Sequence, residues 1–392
     1  MSWPADPIAA VTHRDPYPYY AALARRPFER HEASGMWVAA SARHVEAVLA
    51  SEACRVRPAS EPVPRAIDGT AAGSVFGRLV RMNDCAPHAA ARKIVARALA
   101  TPDASAVAAT SRALGHAAVE ALDLRRQPAR IMELALDVPA RVMGGLLGLA
   151  GEPLDRVVDW AGDFVRGIAA GADADRRERA AQAAAQLEDA LSALHRASAA
   201  GLVLDLAREA ERAGGPSAAV VVANAIGFLS QPYEATAGLI GNAAVALARD
   251  RRLADRVRAE PGLMSEVVLE VLRHDPPVQN TRRFVARDGV VAGANVREGD
   301  VVLVVLAAAN RDPALNSEPD AFRLDRPDRR SLSFGSGAHM CPGDLLAGAI
   351  ASGALQALAQ GGVPFERLGA PGYLPLLNVR IPAFGDGAQR DQ

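Results

Sequence analysis

The sequence predicts a mainly α-helical chain with a smaller β region towards its C-terminus, and three observations predict it. Apolar residues recur with helical period along most of the chain up to His274. Pro276-Pro277 stops that texture, because two prolines cannot continue a helix. Short β-branched runs separated by Gly and Asp turns follow.

In chain order, Ala-rich amphipathic runs predict helices over Asp15–Ala24, Ala42–Ala50, Ala86–Leu99, Asp103–Leu122, Ile131–Leu147, Asp155–Ala169 and Arg176–Ala213. Ser217 is placed to cap a long run ending near Asp250, about 50 Å at ~1.5 Å per residue. A helix over Met264–His274 follows. Strands are expected at Thr281–Val285, Val290–Val291 and Val301–Leu306. Asn310–Ser333 is polar, Pro-rich and irregular, a last helix runs from about Gly343 to Gln360, and Tyr373–Ile381 reads as a hairpin edge. No linker or charge block divides the chain, so residues 1–392 are expected to form a single domain.

Composition narrows the function. Half of the 392 residues are hydrophobic, ample for a large core. A formal net charge of −1 gives no signal for nucleic acid. Three cysteines, Cys54, Cys85 and Cys341, are too few and scattered for a disulfide framework or a zinc knuckle. Met1–Arg14 lacks the pattern of a secretory signal, and no apolar run reaches the roughly 18 residues of a membrane span. A cytoplasmic, membrane-free protein is the expectation, with a monomer as its simplest form.

One segment carries chemistry: Phe334-Gly335-Ser336-Gly337-Ala338-His339-Met340-Cys341-Pro342-Gly343. Its glycines permit a tight turn and close approach to a flat cofactor. Phe334 can shield a sulfur from water, and His339 can donate to an anion at the cofactor edge. Cys341 falls near the N-terminus of the last helix, whose dipole favours a thiolate. A lone cysteine in a Gly-rich loop would be unremarkable packing; this ordered pattern is not. It resembles the haem-binding signature of the cytochrome P450 family, soluble bacterial class, with every signature position filled. The resemblance implies haem b held by the Cys341 thiolate, with Phe334, Gly335 and Gly343 around it. It also implies the P450 fold, a triangular helical prism with haem between a long distal helix and the cysteine-loop helix.

Other motifs follow the family's order along nearly the whole chain. Glu270 and Arg273 share one helix face, which any solvated helix can show. Standing before the Pro-Pro turn, they resemble the family's buried Glu-x-x-Arg pair, with Arg326 as a third member. His88 and Arg92, also on one face, resemble the cations that meet the haem propionates. Arg283 and His339 complete that set, although Arg282 adjoins Arg283 and leaves the register open by one. Singly, each is a surface cation in an Arg-rich chain. Cys85, Trp3, Trp37 and Trp160 read as packing.

The long helix departs from the family. Where members show Ala-Gly-x-Asp/Glu-Thr, this chain has Gln231-Pro232-Tyr233-Glu234-Ala235, with Glu234 on the acid and Ala235 on the alcohol. Activating O₂ at a haem consumes two protons, and in the family that alcohol orders the water carrying them. Ala235 offers no hydrogen bond, and Thr236 lies about 100° further around the helix. Pro232 lacks an N–H, which frees the Phe228 carbonyl at a cost on the order of 3 kcal/mol. That carbonyl, with Gln231, is a candidate water holder. Pro342 is a second departure: it removes an N–H beside the sulfur, which predicts a lower haem potential and a stronger electron push.

By resemblance, Phe228, Val278, Asn280, Leu376 and Leu377 line an apolar pocket with Gln231 and Asn280 as polar handles. The expected function is oxidation of a small apolar natural product with O₂, in bacterial secondary metabolism. Electrons would come from ferredoxin and an NAD(P)H-dependent ferredoxin reductase, and the substrate is free or carrier-protein bound. Hydroxylation leads. Oxidative coupling or ring formation, peroxide-driven peroxygenation and non-catalytic haem binding are the alternatives.

Overall fold

The computed structural model describes residues 3–198 and 200–385, so the single-domain expectation for residues 1–392 extends beyond them at both ends. Three helices stand at the bounds their periodicity predicts: Ala42–Ala50, Ile131–Leu147 and Met264–His274. Ser41 caps the first, its side chain accepting from the His44 N–H. The predicted run Arg176–Ala213 is instead two helices, Ala174–Arg196 and Leu202–Arg212. They part at Gly201, whose φ of 122° disfavours any L side chain, and where a Cβ would lie 2.7 Å from the Leu146 carbonyl oxygen. The alanines that precede Gly201 hide that turn from any periodicity.

Two helices escape the pattern, Ala71–Arg78 and Arg251–Ala259. Asp250 ends the long helix Ala218–Arg249 and caps the next by accepting from the Leu253 N–H. Ser217 occupies the N-cap position of the long helix without a side-chain cap bond. Pro232 lies inside that helix, which continues through it.

The β region centres on a five-stranded sheet in the order Glu29–Arg30, Trp37–Ala39, Val301–Val304, Thr281–Val285, Cys54–Arg55. Three of these strands have two or three residues, too short to show alternation. The predicted strand Val301–Leu306 stops at Val304, and Leu306–Asn310 turns into a short helix. The tail hairpin pairs Gly372–Tyr373 with Pro382–Ala383 rather than within Tyr373–Ile381.

The long helix runs through the main core and touches the Pro-Pro turn closely. At Gly238 a Cβ would lie 2.8 Å from Pro277 Cβ and 2.9 Å from the Arg380 carbonyl oxygen. One turn on, Asn242 Nδ2 donates to the Asp275 carbonyl at 3.0 Å. These contacts set the helix against the strand that carries Arg282 and Arg283.

The irregular segment hangs on one carboxylate. Glu270 and Arg273 are fully buried, with Arg273 Nη2 donating to Glu270 Oε1 at 2.7 Å. Arg326 Nε donates to Oε1 at 3.3 Å, Arg329 Nε to Oε2 at 3.2 Å, and the Arg323 N–H to Oε1 at 3.0 Å. Arg273 also donates to the carbonyls of Pro319 and Ala321, at 2.7 and 2.8 Å. Burial alone would push Glu270 up; its bonds from Arg273 and the Arg323 N–H outweigh that and hold it below its ordinary value. Asn310 finishes the anchoring: it donates to the Leu272 carbonyl at 3.1 Å and accepts from the Leu332 N–H at 2.6 Å, two residues before Phe334.

Glu270→Ala leaves buried guanidinium groups without their anion. It should cost about 3–5 kcal/mol of unfolding free energy, read as a drop in urea midpoint. A loss under ~1 kcal/mol would show that the network contributes no more than a surface ion pair.

Candidate functional site: a cysteine loop, a cation cluster and a cavity

The cysteine loop turns on Gly335 and Gly337, with φ of +71° and +69°. The Cys341 N–H donates to the Phe334 carbonyl at 2.8 Å, closing the loop on itself. Gly337–His339 form one 3-10 turn, and the following helix starts at Asp344, one residue later than expected. Gly343 has an ordinary φ of −106°, so its contribution is its N–H, which donates to Cys341 Sγ at 3.4 Å. The sulfur is therefore not stripped of donors by Pro342, which corrects part of the expected departure. Burial pushes the Cys341 thiol up, against the Gly343 N–H, Arg92 and Arg81.

Beside the loop, basic side chains gather around one acid. The His88 and His339 rings lie 4.1 Å apart, and His339 Nε2 is 3.0 Å from Asp84 Oδ1. Burial, with His339 next, pushes His88 down to about 4; a neutral imidazole still donates one N–H. Arg92 Nη2 donates to the Met340 carbonyl at 2.6 Å, while its buried Nη1 has no acceptor among the described residues. Arg283 is buried and feels Asp84, whereas Arg282 lines the cavity, so the strand's alternation separates the two neighbours.

Sequence reasoning missed Asp84. It is the N-cap residue of the helix Cys85–Leu99 yet makes no side-chain cap bond. Its carboxylate turns instead to His339 and to the Val56 N–H, 3.1 Å away. The only signal was its place just before the His88 helix.

A cavity of about 640 Å³ is lined from residues 56–82, 165–177, 230–235, 278–284 and 375–379. Gln231, Glu234, Ala235, Val278, Asn280, Leu376 and Leu377 all line it. Phe228 does not: it packs in the main core, which corrects its assignment to the pocket. Pro232 is not among the lining residues either. Gln231 folds back along its own helix, its Nε2 only 2.5 Å from where a Cβ on Gly227 would stand. Asn280 is almost wholly buried and donates to the Leu377 carbonyl at 3.0 Å. Thr236 is buried away from the lining, as its offset from Ala235 requires. Burial pushes Glu234 up, with Arg81 and Arg166 opposing. Nor is the cavity simply apolar: Arg57, Arg81, Arg177 and Arg282 line it too.

A helical body with a cysteine loop, a group of basic side chains and a large cavity invites comparison with known proteins. The family profile for cytochrome P450 matches residues 212–358. The 20-oxo-5-O-mycaminosyltylactone 23-monooxygenase of Streptomyces fradiae is 30% identical over 357 residues, 88% of this chain and 82% of the relative. The mycinamicin IV hydroxylase/epoxidase of Micromonospora griseorubida is 30% identical over 300 residues, 76% of this chain and 75% of the relative. The crystal structure of CalO2 superposes with a TM-score of 0.80 at 30% identity, covering 97% of this chain and 99% of that one. The chain belongs to the cytochrome P450 family, and with it to the haem-dependent oxidoreductases of the monooxygenase type. No helix among the described residues is long and apolar enough to cross a membrane.

The family implies haem with cysteine thiolate ligation, and the residues present fit that group. A buried arginine donor without an acceptor, Arg92 Nη1, faces the need of an anionic edge. Cys341 offers a soft sulfur ligand whose position a hydrogen bond fixes.

Because Gly343 already donates to the sulfur, Pro342→Leu would add a second N–H rather than a first. The potential of the haem-loaded variant should rise in a redox titration; an unchanged or lower potential contradicts this.

Proposed function

We propose that this chain is a haem-thiolate monooxygenase of bacterial secondary metabolism that hydroxylates a small natural product, free or carrier-protein bound. One observation carries the reading: Arg81 of the cavity wall is near enough to act on both Cys341 and Glu234, so the cysteine loop and the cavity meet beside a group of basic side chains suited to an anionic cofactor edge. Cys341 would hold the haem through its thiolate, with Phe334 and Gly335 shaping the loop and the Gly343 N–H tuning the sulfur. His88, Arg92, Arg283 and His339 would hold the propionates. Glu270 and Arg273 would act at a distance, by fixing the segment that delivers the loop. Bound haem supplies the reductive activation of O₂, with electrons from a ferredoxin and its NAD(P)H-dependent reductase.

The chain's own residues must then manage protons. Ala235 contributes no hydrogen bond, so Glu234 is the group on the cavity wall able to hold and release one. Its burial raises its proton affinity, the direction a proton donor needs. Ser230 is committed within the helix, donating to the Ile226 carbonyl at 3.0 Å, while Gln231 folds back against Gly227. The missing alcohol favours a second reading, oxidative coupling or ring formation without oxygen insertion. The cavity carboxylate favours a third, peroxygenation.

Compounds selected by their shift of the ferric Soret band, then turned over with ferredoxin and reductase, separate these readings. A product heavier by one oxygen atom supports hydroxylation, and one lighter by two hydrogens assigns coupling. Turnover with hydrogen peroxide alone assigns peroxygenation. Glu234→Gln should slow coupled turnover by up to about 100-fold; unchanged coupling would remove Glu234 from proton delivery.

A further inference from the structure

The charge on the cavity wall does not match a wholly apolar substrate. Four arginines, Arg57, Arg81, Arg177 and Arg282, face one carboxylate, Glu234. Two of the four are occupied. Arg57 donates to the carbonyls of Glu61 and Pro62, at 2.8 and 3.3 Å, and lies 5.4 Å from the Phe76 ring centroid. Arg177 donates to the Ala172 carbonyl at 2.5 Å. The guanidinium groups of Arg81 and Arg282 donate to no described residue, and Glu234 forms no ion pair with either.

Arg81 is the more telling of the two. Protein surrounds it, yet much of its surface is open, and that surface faces the cavity. Burial pushes it down to about 10, with Glu234 and Cys341 opposing, so it stays a cation at neutral pH. A neutral molecule filling the cavity would displace its water and strand that charge. An anion would instead pair with it through charge-assisted hydrogen bonds, for which the planar guanidinium is well shaped.

Resting on the haem-thiolate reading above, we propose that the cavity selects a substrate bearing an organic anion, a carboxylate or a phosphate ester, held by Arg81 and Arg282. Val278, Leu376 and Leu377 line the same cavity and take the apolar remainder. The likeness to an apolar pocket therefore holds for part of the wall, while the unoccupied arginines choose among apolar molecules by their charge.

The test uses the haem-loaded full chain and three probes of one chain length: dodecanoate, dodecyl phosphate and dodecan-1-ol. Calorimetric titration reads binding without reference to the haem spectrum. At least one anion should bind about tenfold or more tightly than the alcohol, and the stronger of the two identifies the headgroup. Arg81→Leu and Arg282→Leu should each reduce that preference, the double variant should abolish it, and Arg81→Lys should keep part of it. Equal binding of all three probes, no binding of either anion, or a preference that survives the double variant overturns the proposal. So does an Arg81→Leu variant that loses haem while keeping its preference, since Arg81 would then serve the cofactor. Carbon monoxide spectra of the same samples report the thiolate ligand separately. An intact thiolate signature without anion preference defeats this inference and leaves the haem-thiolate reading standing.

Discussion

A carboxylate taken out of water must find donors for both oxygens, and Glu270 finds them in Arg273, Arg326, Arg329 and the Arg323 N–H. Three of those four partners lie in an irregular stretch with no repetitive hydrogen bonding of its own. The helix Met264–His274 thereby acts as a fixed post, and the chain returning towards Phe334 is tied to it by charge. Desolvating so many charges gains little net stability over apolar packing of the same volume. What it gains is a single path for the segment, because any other path leaves a buried charge unpaired. The cysteine loop begins where that path ends.

The loop itself then needs little from its surroundings. Gly335 and Gly337 supply the turns, and the Cys341 N–H closes on Phe334. The His88–Arg92 helix is tied to the loop at Met340, whose carbonyl accepts from Arg92. Asp84 joins this group at one edge, through His339 and the Val56 N–H.

Much of this was legible in the chain, for reasons that differ by element. The cysteine segment is contiguous, so order and spacing sufficed. The pair Glu270 and Arg273 sits one helical turn apart and could be read, and Arg326 could be guessed; Arg329 could not, because nothing local distinguishes one arginine of that segment from the next. The choice between Arg282 and Arg283 needed the sheet, since only pairing Arg283 with Val302 decides which face each takes. The break at Gly201 was hidden by alanines that suit helix and turn flank alike. Resemblance places Phe228 in the pocket, but helical rotation turns it into the core. Which arginines reach the cavity was not legible in the chain: Arg81 and Arg282 come from distant segments, and only folding brings them to one wall.

The central claim is that Cys341 ligates a haem through its thiolate, and the reduced protein under carbon monoxide tests it most directly. Wild type and Cys341→His are compared after haem loading, by difference spectroscopy. The account predicts the strongly red-shifted Soret band of thiolate ligation in the wild type, and the shorter-wavelength band of histidine ligation in the variant. A wild-type band already at the shorter wavelength, or a Cys341→His variant that keeps the red-shifted one, would contradict it.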